Sequence, residues 1–266
     1  KNTWLNEDST NLSFLNLNGP GTLFIKHRHT NYNGQTVNGM LTNQANGNMY
    51  FDNNTTKVIN GTLTNNGTFF WKRGGINSGT GTVVNNGPIW VKDMTDNFYF
   101  SSVKFENNDS IICDDASYYL DLSATSEFEQ SSSGFLILKQ QTHRLYSLPN
   151  SVGGKIEIAN GAKLYGSGTG LNFIGDSLIC NGNIEFAPFN FKGSTSQFVK
   201  GTGSIQQVDI DNTSHVLLAS DFAILNQLKF TNGRMFLGEF DLSLLTASTV
   251  NANSSNYLVT NGKGFV

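Results

Sequence analysis

The sequence predicts an all-β fold, a right-handed parallel β-helix (solenoid) with coils of about 20–22 residues. Three observations predict it. The stretches GTLTNNGTFFWK (61–72) and GTVVNNGPIWVK (81–92) match with Gly, Thr, Asn-Asn-Gly and Lys in register, twenty residues apart. Short runs of Ile, Val, Leu, Phe, Tyr and Trp recur between Gly, Asn, Asp and Ser, which is the strand signal. No segment carries a helical period with caps at both ends. Paired antiparallel sandwiches would also place strands at short intervals, but a sandwich has no reason to repeat its sequence at fixed register. A solenoid does, because like positions stack coil upon coil.

The elements follow in chain order. GMLTNQANGNMYFD (39–52) is a looser copy of the repeat that the two close copies then state twice. Trp71 and Trp90 fall in corresponding coils one position apart, which sends them to opposite faces of a strand. Residues 93–133 are the least regular part and read as irregular coils with longer loops. GFLILK (134–139) and KIEIA (155–159) are strands, with period-two alternation visible in KIEIANGAKLYG. Gly161, Gly182 and Gly203 recur every twenty-one residues, and each leads into a short run: AKLY, NIEF and SIQQVDI. SDFAILNQLKF (220–230) alternates about as well as it turns, so even here no helical period stands out. The glycine clusters SGTG (78–81) and GSGTG (166–170) lie between strands and read as turns, not phosphate loops. Residues 1–266 read as a single β-helix domain, a section of a longer surface protein.

Composition narrows the function. A chain of 266 residues can bury a sizeable core without covalent staples. Charged residues make up 14%, against roughly 25% in ordinary globular chains, so Asn, Ser, Thr and Gly supply the polar surface. A net charge of −3 gives no reason to expect a nucleic-acid partner. No apolar run reaches the length of a transmembrane segment. The chain begins at Lys1 with no signal peptide, as a mature protein or a section of a longer one would.

From Leu228 the sequence reads LKFTNGRMFLGEFDLSLLTASTVNANSSNYLVTNGKGFV. Leu228, Asn232, Gly233, Leu237, Gly238, Leu242 and Leu244 form one pattern; Tyr257, Val259, Thr260, Asn261, Gly262 and Gly264 form a second. Together they resemble a motif of large secreted and cell-surface proteins of Bacteroidetes, a group that includes type IX secretion substrates and adhesins. The resemblance covers about the last forty residues. It implies export by the type IX system, a place in the secreted or cell-surface fraction, and further sequence beyond Val266. It says nothing about a ligand.

Several residue sets carry possible chemistry. His27, Arg28 and His29, in KHRH, are the densest cationic spot and suit a glycan or anion contact. Two histidines do not complete a zinc site, so no metal is expected there. Asp114, Asp115 and Asp121, with Lys139, His143 and Arg144, are the residue types a polysaccharide lyase uses to neutralise a uronate and abstract its proton. Phe69, Phe70, Trp71, Trp90, Phe98, Tyr99, Phe100, Tyr118, Tyr119 and Tyr165 can stack on sugars if exposed or fill the core if not. Asp-Ser followed by Thr or an aliphatic residue resembles the Bacteroidetes O-glycosylation acceptor, at Ser9, Ser110 and Ser177, although Ser110 and Ser177 read equally well as turn residues. Cys113 and Cys180 end the related stretches DSIIC and DSLIC. Three coils separate them, about 14 Å at the interstrand spacing, so both are expected free. No cofactor motif occurs. These readings converge on a non-enzymatic structural or adhesive module whose partners are surface glycans, other cell-surface proteins and, during export, the secretion machinery. The alternative is a β-helix that binds or degrades polysaccharide.

Overall fold

Alternation along each strand decides which side chains go inward. In Thr62–Asn65, Thr82–Asn85 and Lys104–Asn107 the second and fourth residues are buried, and the first and third are half-buried. One face of each strand therefore lies on a core. The computed structural model describes residues 35–266 apart from 53–56, 93–97, 101, 123–126, 146–150, 167–169, 186–187, 246–248 and 261. It also describes the backbone of strands Asn2–Asn6, Asn11–Leu12, Leu15–Leu17 and Gly21–Lys26. The described residues form strands and turns with no helix.

The chain divides into two compact units, Lys1–Phe135 and Leu136–Val266. Within each unit the strands are parallel, and up to Asn183–Glu185 each pairs with the third strand after it. A coil thus holds three strands, and stacked coils form a β-solenoid with three parallel ladders. Parallel strands buried on one side and paired on both edges leave backbone groups unsatisfied only at corners and ends.

In the first unit, Thr62 pairs with Thr82 and Thr82 with Lys104, and Lys104 in turn pairs with Glu127. The coils of 98–130 therefore keep the register of those before them. Their sequence looks irregular because Lys104, Glu106, Glu127 and Glu129 take the outward positions, where charge is tolerated. Lys104 Nζ lies 3.3 Å from Glu106 and 2.9 Å from Glu129. Inward, Phe51, Phe69, Trp71, Phe100, Phe105 and Phe128 pack ring against ring at centroid distances of 4.6–5.6 Å. Trp71 is fully buried, whereas Trp90 pairs with Phe70 on the outward side, so the two tryptophans do take opposite faces.

The Asn-Asn-Gly repeat has a direct physical cause. Asn43, Asn65, Asn85 and Asn107 end successive strands of one ladder, all with buried side chains, and Gln130 ends the next. Asn43 Nδ2 donates to Asn65 Oδ1 at 2.7 Å, Asn65 to Asn85 at 2.9 Å, Asn85 to Asn107 at 2.8 Å and Asn107 to Gln130 Oε1 at 3.0 Å. The same amides also cap corner carbonyls, as Asn65 Nδ2 does on Gly87 O at 3.1 Å. A second, exposed ladder runs Asn108 to Asn86 to Asn66, at 2.9 Å per step. The glycine follows because the corners nearly touch: a Cβ on Gly87 would stand 2.2 Å from Gly67 O.

The second unit repeats the three-ladder plan and then fuses it. Ser204–Leu218 and Phe222–Phe236 are each one fifteen-residue strand that turns the coil's corners at register shifts. Ser204 pairs with Asn183, Val208 with Phe189, and Val216 with Gln197, so one strand serves all three ladders. The segment FAILNQLKF of SDFAILNQLKF, residues 222–230, lies in a strand. The glycine spacing needs one correction. Lys163 pairs with Asn183, so Gly182 stacks on Ala162, where its Cβ would meet Ala162 O at 2.1 Å; Gly161 is a left-handed turn residue with φ +82°. Small residues are needed where corners touch, and Ala162 meets that need as well as glycine. The C-terminal pattern is likewise architectural. Leu228, Leu237 and Leu242 are buried, and Gly233 and Gly238 adopt φ of +96° and +62°.

Replacing Asn85 with Ala removes a donor to Asn107 and an acceptor for Asn65 inside the core. We expect a loss of about 2–3 kcal/mol in urea unfolding, against less than about 0.5 kcal/mol for Asn86→Ala on the exposed ladder.

Candidate functional surfaces

His27, Arg28, His29 and Ser9 lie outside the described residues. The lyase-type residues divide between the units, with Asp114, Asp115 and Asp121 in the first and Lys139, His143 and Arg144 in the second. Asp115 is buried, and its Oδ1 accepts from Ser117 N at 2.9 Å and Tyr118 N at 3.0 Å, which commits it to a turn. His143 points inward with 1% exposure and its Nε2 meets the Gln140 carbonyl. Burial pulls its pKa down to about 4, with the Gln140 carbonyl opposing, so the ring is neutral near pH 7.

Ser110 is half-buried and turned back on Asp109, to which both its N–H and Oγ donate. Ser177 is half-buried on an outward position between Lys155 and Phe198. Cys113 and Cys180 are free and buried, each at the inward end of its strand. Burial pushes the Cys113 thiol far up and Cys180 to about 12, so neither is a thiolate at neutral pH.

One ionisable core residue went unread in the sequence. Lys57 has 1% exposure, donates from Nζ to Arg73 O at 2.9 Å, and lies 5.3 Å and 5.9 Å from the Phe51 and Trp71 ring centroids. Aromatic faces and a carbonyl replace its water shell. Its place in KVI, where it alternates with Ile59, is the only sequence signal that it faces inward.

Two outward rows of described residues carry aromatic side chains that could meet a ligand. In the first unit Tyr50, Phe70, Trp90 and Ile112 form one row on one sheet. The Tyr50 and Phe70 rings stack at 4.6 Å with an interplanar angle of 12°. Each of these two rings thus turns one face to the neighbouring coil, and the pair adds apolar packing outside the core.

In the second unit, successive strands carry a polar row and an apolar row side by side. Ser196, His215 and Arg234 make up the first row, ending at Tyr257; Phe198, Leu217, Phe236 and Val259 make up the second. Ser196 Oγ lies 2.9 Å from His215 Nε2, and Ser214 Oγ lies 3.1 Å from Nδ1. Buried Asn212 holds the backbone on both sides, donating to Thr195 O at 2.8 Å and accepting from Ser214 N at 2.8 Å. Its amide also reaches Gln197 Oε1 at 2.7 Å, inside the core. The Arg234 guanidinium lies over the Tyr257 ring at 5.0 Å, with Nε 3.5 Å from Ser255 O. Phe198 is 45% exposed and, among the described residues, its ring stacks on no other.

The third ladder of this unit brings two carboxylates to one face. Asp209 pairs with Lys229 at 2.8 Å and Thr231 at 2.9 Å, and Asp211 with Lys192 at 3.8 Å. Each carboxylate is engaged by a lysine one coil away, the cross-strand arrangement that stabilises a sheet. Among the described residues no group of His, Cys, Asp and Glu is placed to hold a metal, and no helix is long and apolar enough to cross a membrane.

No family model, curated protein or solved structure matches the chain.

His143 makes stability depend on pH. Its folded pKa lies below the unfolded 6.5, so its contribution is complete above pH 6.5 and is lost as pH falls toward about 4. We expect a decline of about 3 kcal/mol across that window in urea unfolding, flattened in His143→Gln. For the cysteines, an aromatic disulfide reagent at pH 8 should find no reactive thiol in the folded protein and two after unfolding in guanidinium.

Proposed function

We propose that the chain is a non-enzymatic structural and adhesive module of a secreted or cell-surface protein, exported by the type IX system. One observation carries the structural half of this reading. The buried amide ladder Asn43–Asn65–Asn85–Asn107–Gln130 commits the repeat's inward amide position to holding coils in register. The Asn-Asn-Gly motif that the two close copies of the repeat share thus serves the stack. Solenoids of this kind hold surfaces at fixed spacing and resist unfolding coil by coil. The C-terminal resemblance to Bacteroidetes surface proteins is the support for export and location.

The polysaccharide-degrading alternative needs at least two carboxylates and a base free to act in one place. Asp115 and His143 are engaged in a turn and in the core, and Asp209 and Asp211 are each paired to lysine. That distribution favours the non-catalytic reading.

Incubation with a panel of neutral and acidic polysaccharides should release no new reducing ends and no unsaturated-uronate absorbance over a day. Product that scales with protein and disappears in Asp209→Asn would sink the reading.

A further inference from the structure

We propose that the paired rows at 196–200, 215–217, 234–236 and 257–259 form a binding face for an acidic polysaccharide, a polymer whose sugars carry carboxylates. This rests on the non-catalytic adhesive reading and names the partner's chemistry.

Charge is the first argument. No Asp or Glu occurs in those four stretches, whereas Lys200 and Arg234 are both exposed. Arg234 makes no ion pair among the described residues. Tyr257 backs one face of its guanidinium and Ser255 O takes Nε, which leaves the outer N–H edge for an incoming carboxylate. A guanidinium held in this way loses little freedom when it forms the two parallel hydrogen bonds that a carboxylate accepts.

Shape is the second argument. A sugar ring offers hydroxyls at its rim and an apolar C–H face, and the two rows offer the counterparts of each. Ser196, Ser214 and His215 are joined by hydrogen bonds on a backbone anchored by buried Asn212, so their donors and acceptors are fixed in place. Two residues along, Phe198 presents a ring that is 45% exposed and, among the described residues, stacks on no other ring. The first unit offers less ring surface, because Tyr50 and Phe70 each turn one face to the other. Phe198 and Arg234 stand two coils apart, about 10 Å along the stack, which suits a polymer lying across coils more than a single sugar.

A polymer also suits the form of the site. An open sheet face encloses no small molecule, yet it can engage several sugars in sequence, each weakly. The ligand gains by repetition along the same axis on which the protein repeats.

The test uses the full 266-residue chain, titrated calorimetrically with polygalacturonate oligomers and with the same oligomers methyl-esterified. The expected result is saturable binding of the acid form, lost on esterification. Arg234→Gln and Phe198→Ser should each weaken it about tenfold, while Lys104→Gln, an equal charge change in the first unit, should not. Both site residues are exposed, so unchanged circular dichroism and melting will separate lost binding from lost fold. Absent saturation, equal binding of the esterified oligomers, or equal effects of Arg234→Gln and Lys104→Gln would overturn the proposal. Product formation with binding intact would instead remove the non-catalytic reading and leave the face standing. No binding and no product would remove only the face.

Discussion

Everything in this protein depends on one constraint: each strand pairs, parallel and in register, with its counterpart one coil away. The backbone ladder fixes the interstrand step, so whatever side chain occupies a position must coexist with its own counterparts immediately above and below. Polar side chains that can both donate and accept, such as Asn, satisfy themselves in such a column. Aromatic rings satisfy themselves by stacking. Lone charges cannot, which is why Lys163 meets Glu185 at 2.8 Å and Lys229 meets Asp209 at 2.8 Å on outward positions. The low charged content and high Asn content are two sides of that rule.

The same constraint sets what is legible in the sequence. GTLTNNGTFFWK and GTVVNNGPIWVK show their register on sight because inward and corner positions both recur. The coils of 98–130 hid theirs because Phe105, Asn107, Phe128 and Gln130 keep the inward pattern while the outward residues and the corner glycine change. Ala162 concealed the true corner beneath Gly182 for a related reason, since smallness is the requirement and glycine only one way to meet it.

Surface chemistry was less legible than fold. Periodicity says which face a residue takes and nothing about which strand lies beside it, so Ser196, His215 and Arg234 sit nineteen positions apart with no motif to link them. Lys57 was hidden for the opposite reason. A lysine in a strand reads as an outward charge, and nothing in the sequence shows the Phe51 and Trp71 rings and the Arg73 carbonyl that receive it inside. His143 likewise has the composition of a catalytic base and the environment of a core residue.

The amide ladder also bears on how such a molecule changes over evolutionary time. Because Thr62 pairs with Thr82 and Asn65 with Asn85, the stretch from 62 to 81 is a complete coil whose lower and upper edges match. Duplicating it in the gene restores every hydrogen bond it interrupts, and each added coil brings its own asparagine and glycine. An insertion within the strands that is not a whole coil would misalign the amides and bring side chains onto the touching corners. Length is therefore a quantity this architecture can vary in whole coils, by unequal recombination, at almost no cost to stability.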